Sequence, residues 1–249
     1  MNVEEVHVWR GSAEQRALRG QVLKSTQFAY FDVQLDHPDW SGKSVLDFGG
    51  NRGNILHDPE CKIRQQNYYC VDVIREAIEE GRKSFPDAHW AHYDRYNCSF
   101  NPEGVVDLPV PDFGREFDII LAYSVFTHTT LEEMHDLVAQ LEAKLAPGGT
   151  LAFTFIDPHW QHNLRWRLER LNPEVNFESL LDCGRYARWC SLVNNKLFMD
   201  SNGQWSKERD SCMTYHVFYT EEFMREQFSH ATIRPPVNGE MQHCCIIHK

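Results

Sequence analysis

The chain has 249 residues, with 42% hydrophobic and 24% charged side chains and a formal net charge of −11. That length and balance imply one globular domain whose core needs no disulfide or metal staple, and they exclude a mostly disordered chain. The acidic excess argues against nucleic acid or anionic lipid as partner, and no run approaches the roughly 18–20 apolar residues of a membrane span.

Residues 1–40 hold a helical candidate, Ala13–Lys24, followed by the aromatic cluster Phe28, Tyr30 and Phe31, and read as an N-terminal helical lid. Residues 41–157 alternate short apolar runs with helical stretches. Strands are expected at Ser44–Gly49, Tyr68–Val73, Ala88–Asp94, Phe117–Tyr123 and Thr150–Asp157, and helices at Ile74–Phe85 and Leu131–Leu145. Thr130 and Glu133 form a capping box for the second helix, and Pro147-Gly148-Gly149 ends it. Such alternation implies an α/β fold, a Rossmann-like, mostly parallel sheet covered on both faces.

Residues 158–213 are rich in Trp, Arg and Asn and too long for a plain connection, so they are expected to form a cap insert with its own helices. Residues 214–249 follow with a helix at Thr220–Phe228 and two β-prone runs, Ala231–Val237 and Glu240–His248, around Asn238-Gly239. Asn-Gly favours the positive φ angles of a tight hairpin, so the sheet should end in an antiparallel pair. The eight cysteines show no C-x-x-C pair, and Met1–Arg10 lacks the basic start and apolar stretch of a signal peptide. Both point to reduced thiols in a cytoplasmic protein.

The strongest motif follows the first strand: Val45-Leu46-Asp47-Phe48-Gly49-Gly50-Asn51-Arg52-Gly53-Asn54. Glycines at a strand-to-helix turn let backbone amides approach a ligand, and the helix behind them opens with free N–H groups. Asp72 ends the second strand at the spacing of an acid that accepts hydrogen bonds from both ribose hydroxyls; the alternative is a cap for the next helix.

These residues resemble the class I S-adenosylmethionine-dependent methyltransferases, small-molecule branch. Asp47-Phe48-Gly49-Gly50-Asn51-Arg52-Gly53 is similar to that family's first motif, with Asn51 where the middle glycine would stand. Asn tolerates the left-handed conformation best among the other residues. The resemblance implies S-adenosylmethionine as cofactor and S-adenosylhomocysteine as product. It places Asp72 and the neighbouring Val73 at the ribose, and Asp94 and Arg95 on the adenine side. Phe117–His128 looks like the fourth motif, which would put Tyr123 beside the methionine moiety. Tyr30 would direct its hydroxyl at the carboxylate, unless the aromatic cluster merely packs. A nicotinamide dehydrogenase would want G-x-G-x-x-G, which Gly49-Gly50-Asn51-Arg52-Gly53-Asn54 does not supply.

Methyl transfer needs alignment of nucleophile, methyl and sulfur, and a nucleophile with a free lone pair. His128, after the fourth strand, is a candidate general base, or else packs on the helix that follows. Asp157 and His159, after the fifth strand, are a second candidate pair. A catalytic Mg²⁺ at Asp157, His159 and His162 is disfavoured, because no acid follows the fourth strand and no Asn follows Asp157. Trp160, Arg165, Trp166, Tyr186, Trp189, Trp205 and the loop Tyr96–Pro102 would wall a small, partly apolar acceptor. The expected activity is methylation of a small molecule, at oxygen first, then at nitrogen or carbon, by a monomer or homodimer. A module that binds S-adenosylmethionine without turnover is the alternative of a different class.

Overall fold

The computed structural model describes residues 26–157, 189–193, 196–199, 215–237 and 240–249. The lid helix expected at Ala13–Lys24, the Asn238-Gly239 turn, His159, His162 and most of the cap insert lie outside the described residues.

The elements in chain order are α1 (Gln27–Gln34), β1 (Val45–Phe48), β2 (Tyr68–Asp72), α2 (Arg75–Ser84), β3 (His89–His92) and β4 (Phe117–Ala122). There follow α3 (Leu131–Ala143), β5 (Leu145–Ile156), β6 (Trp189–Val193), β7 (Lys196–Met199), β8 (Tyr215–Tyr219), α4 (Glu221–Gln227), β9 (Thr232–Arg234) and β10 (Gln242–His248). Seven strands form one sheet in the order β3-β2-β1-β4-β5-β10-β9. The first five run parallel, whereas β10 is antiparallel to both β5 and β9. The sheet is therefore parallel with an antiparallel C-terminal end, as the alternating pattern and the Asn-Gly signal imply.

Alternation along the strands builds a core on each face. Leu46, Phe48, Ile120, Ala122, Leu151 and Phe153 meet α3 on one side; Val45, Ile119, Leu121, Ala152, Cys244 and Ile246 meet Phe28, Tyr30, Phe31 and Trp40 on the other. The aromatic cluster of α1 is thus core.

One expectation is corrected here. No α-helix follows the glycine loop; a single 3₁₀ turn, Asn54–His57, stands in its place. Pro59 is the reason. It holds Asp58 in an extended conformation, φ −70° and ψ 124°, and a residue before proline is disfavoured in the helical region. Within the insert, β6 pairs antiparallel with both β7 and β8 in a separate three-stranded sheet, while the residues in which the cap helices are expected lie outside the described ones.

The capping box is present. Thr130 Oγ1 accepts from Glu133 N at 3.1 Å, and Glu133 Oε2 accepts from Thr130 N at 2.8 Å, which satisfies two amides at the start of α3. Thr130→Ala should therefore cost about 1 kcal/mol of stability, measured by urea titration, and Thr130→Ser should retain most of it.

Candidate active site

The carboxyl ends of the parallel strands open into a cavity of about 360 Å³. Its floor is the glycine loop. Gly49 (φ 76°), Asn51 (φ 55°) and Gly53 (φ 79°) all lie in the left-handed region, which explains why a non-glycine in that motif is asparagine. A Cβ at Gly49 would fall 2.4 Å from Val125 Cγ2, so the loop is packed too closely against the end of β4 for any side chain.

Asp72, at the end of β2, holds this loop. Its Oδ2 accepts from Asn51 N at 2.7 Å and its Oδ1 from Ile74 N at 2.8 Å. The ribose and helix-cap readings of Asp72 are therefore compatible, because an ionised carboxylate offers about four lone-pair sites and these amides take two. Burial raises the Asp72 pKa to about 6, the amide hydrogen bonds opposing that rise. Behind it, Asp47 accepts from the Tyr68 hydroxyl at 2.6 Å, and burial together with the nearby Asp72 charge pushes its carboxyl up to about 7.

At the end of β4, Ser124 is also left-handed, with φ 59°. Its N–H donates to Thr154 Oγ1 at 2.7 Å, and Thr154 donates to Gln242 Oε1 at 2.6 Å, so three strands fix this turn. Backbone strain of this kind persists only where surroundings over-determine it. Beyond the turn lie His128 and Thr129. The ring of His128 meets Phe100 at 5.0 Å and His216, from β8, at 4.5 Å between centroids.

The cavity brings together Gly49, Asn51, Asp72, Val73, Arg95, Tyr123 and His128 among the residues expected from sequence. Five others lie elsewhere. Tyr30 is fully buried, and its hydroxyl donates to Gln242 O at 2.9 Å because α1 packs behind Tyr123. Asp47 lies beneath the loop, and Gly53 turns the chain against Trp90. Asp94 is exposed and accepts from Asn101 Nδ2; alternation along this extended stretch sends Tyr93 and Arg95 to the cavity instead. Asp157 is a capping residue, since its Oδ2 accepts from Glu221 N at 2.8 Å at the start of α4. Arg95 lines the wall while its guanidinium donates to Leu108 O and Asp136 Oδ2.

Thr129, Glu133, His216, Phe218, Met241 and Gln242 also line the cavity and were not expected there from sequence. The signal for two of them is present in Tyr215-His216-Val217-Phe218-Tyr219, where His216 and Phe218 face the cavity and Val217 and Tyr219 the core. Cys98, on the neighbouring loop, is disulfide-bonded, which corrects the expectation of eight reduced thiols. Pairing depends on the sulfurs meeting in bonding geometry, which sequence spacing does not disclose. Cys61, Cys70, Cys244 and Cys245 are free.

Residues 46–151 match a family model described as methyltransferase domain. That match covers less than half of the chain, whose fold is that of S-adenosylmethionine-dependent methyltransferases. The chain is similar to the glycopeptide N-methyltransferase MtfA (8% identity, TM-score 0.52, 96% of this chain and 98% of that one). It is equally similar to an S-adenosylmethionine-dependent methyltransferase from Clostridium acetobutylicum (10%, TM-score 0.53, 94% and 97%). A Nostoc punctiforme protein named as a candidate O-methyltransferase matches at 13% identity and TM-score 0.50 over 88% of this chain, which spans only 54% of that protein. Among the described residues, no helix is long and apolar enough to cross a membrane.

The buried carboxyls set a pH dependence. Both folded pKa values stand above the ordinary carboxylate value, so the folded chain binds more protons than the unfolded chain. The resulting stabilisation is complete below about pH 4 and is lost as pH rises through about 6 and 7. Asp47→Asn, which keeps an acceptor for Tyr68, should melt at higher temperature than the parent at about pH 8 and nearly the same temperature at about pH 5. Thermal melts across that range check it.

Proposed function

We propose that this chain transfers a methyl group from S-adenosylmethionine to a small-molecule acceptor, at oxygen, with His128 as general base. The observation that carries this reading is the Asp72 carboxylate on the cavity wall, fixed by two backbone amides and retaining lone pairs for two ribose hydroxyls. Gly49 and Asn51 of the glycine loop line the same cavity. When bound, S-adenosylmethionine supplies a methyl activated by its sulfonium, with a neutral thioether as leaving group.

The chain's own residues then have two tasks. The glycine loop and the strained Ser124 turn hold the reactants at fixed positions, which removes most of the entropic barrier. His128 takes the acceptor's hydroxyl proton as the oxygen–carbon bond forms and the sulfur–carbon bond breaks, becoming an imidazolium that returns its proton to water. Phe100, Phe218 and Met241 give the acceptor end an apolar surface that excludes water. The net charge of −11 agrees with a small acceptor rather than nucleic acid. Methylation at nitrogen is a second reading, favoured by the Glu133 carboxylate on the same wall, which would attract an amine.

Asp72→Ala should weaken S-adenosylmethionine binding by about 1.5–3 kcal/mol, the range for hydrogen bonds lost from a charged group. Calorimetry that returns an unchanged Kd would remove the ribose assignment. His128→Ala should lower kcat by about 10²–10⁴ without changing S-adenosylhomocysteine affinity. A near-normal kcat would leave positioning alone to account for the rate.

A further inference from the structure

The loop Tyr96–Pro102 is built around one side chain. Asn97 Oδ1 accepts from Ser99 N at 3.0 Å and from Phe100 N at 3.1 Å, which turns the chain and sets where Phe100 leaves it. The other end of the same amide reaches out of the loop. Its Nδ2 donates to the carbonyl oxygen of His128 at 3.0 Å, across 31 positions of sequence. Asn97, Phe100 and His128 all line the cavity.

This network explains the residue type. The side chain accepts twice at one end and donates at the other. An aspartate would keep the acceptors but set a negative oxygen against the His128 carbonyl. Reversing the amide would set its NH2 against two N–H donors, so the bonds themselves fix its orientation.

The consequence is felt at the rings. Phe100 and His128 have their backbones pinned to opposite ends of one amide, and their rings meet edge to face at 5.0 Å and 85°. His216 meets the same imidazole at 4.5 Å. The loop has further anchors: Asn101 Nδ2 donates to Asp94 Oδ1 and to Arg95 O, each at 3.1 Å, and Cys98 is disulfide-bonded. Those contacts hold the loop itself. Asn97 sets its register against the turn that carries His128.

Resting on the reading of His128 as general base, we propose that Asn97 is a positioning residue for methyl transfer. Its amide holds the His128 imidazole against Phe100, so the base and the aromatic wall of the acceptor end keep one spacing. Asn97 acts through His128 and takes no proton itself. An acceptor lying on Phe100 then presents its hydroxyl at a fixed distance from the imidazole, where a misplacement of about 1 Å costs on the order of 10²-fold in rate.

The experiment is nuclear magnetic resonance on the S-adenosylhomocysteine-loaded protein, with His128→Gln used to assign the imidazole signal. The parent should show a nuclear Overhauser effect between the Phe100 ring and the His128 imidazole. It should also show slow solvent exchange at the Asn97 side-chain amide, a measurement that needs no variant. Asn97→Asp, which keeps both loop acceptors, should lose the Overhauser effect, and so should Asn97→Ala. Asn101→Ala, which cuts the loop's other side-chain bonds, should keep it. Thermal melts separate positioning from stability, because Asn97→Ala and Asn101→Ala should each lower Tm by about 2–6 °C. Every variant should bind S-adenosylhomocysteine with the parent's Kd. A chain that binds none, or a near-normal kcat in His128→Ala, removes the reading on which this proposal rests. A chain that binds it, yet keeps the Overhauser effect in Asn97→Asp, loses it equally in Asn101→Ala, or exchanges the Asn97 amide like an exposed one, overturns the role of Asn97 alone.

Discussion

The site depends on one carboxylate and two backbone amides. Asp72 reaches from the end of β2 to the N–H groups of Asn51 and Ile74, while Gly49 N donates to Val71 O at 2.7 Å. The glycine loop is thereby fastened to β2 at two points and cannot swing over the cavity. Because the fastening group is itself on the wall, the atom that shapes the loop is also available to a ligand. The cost is a buried negative charge, visible in the raised proton affinities of Asp72 and Asp47.

Four of the nine left-handed residues among those described lie where the sheet opens. Gly49, Asn51 and Gly53 precede the first crossover and Ser124 ends β4, so both turns that face the cavity are conformationally expensive. Each is held by partners from other strands: the first by Asp72, the second by Thr154 and Gln242. A ligand that enters meets surfaces already in place, which favours binding without reorganisation.

Much of this was legible in the sequence because it depends on local rules. The period of two in Phe117–Ala122, the Thr130–Glu133 box and the tolerance of Asn51 for positive φ are written in a few adjacent residues. The placements that sequence did not anticipate depend mostly on long-range partners. Asp157 and Tyr30 have the right chemistry, yet a neighbour distant in sequence claims each, the amide of Glu221 and the carbonyl of Gln242, whereas Asp94 is taken by Asn101 seven residues on. The missing helix after the glycine loop is an exception, since Asp58-Pro59 announced it. His216 was missed for the opposite reason. A histidine on a strand acquires meaning from the ring it packs against.

The sheet order has a consequence for biogenesis. Met241 and Gln242 line the cavity, and Gln242 also anchors the Ser124 turn through Thr154, yet they arrive with β10, which lies between β5 and β9. During synthesis the parallel half can assemble as it leaves the ribosome, but its pocket stays open on one side. Only when the segment at 242–248 has emerged and zipped between two strands made before it does the wall close, so competence comes in one late step rather than accumulating with chain length.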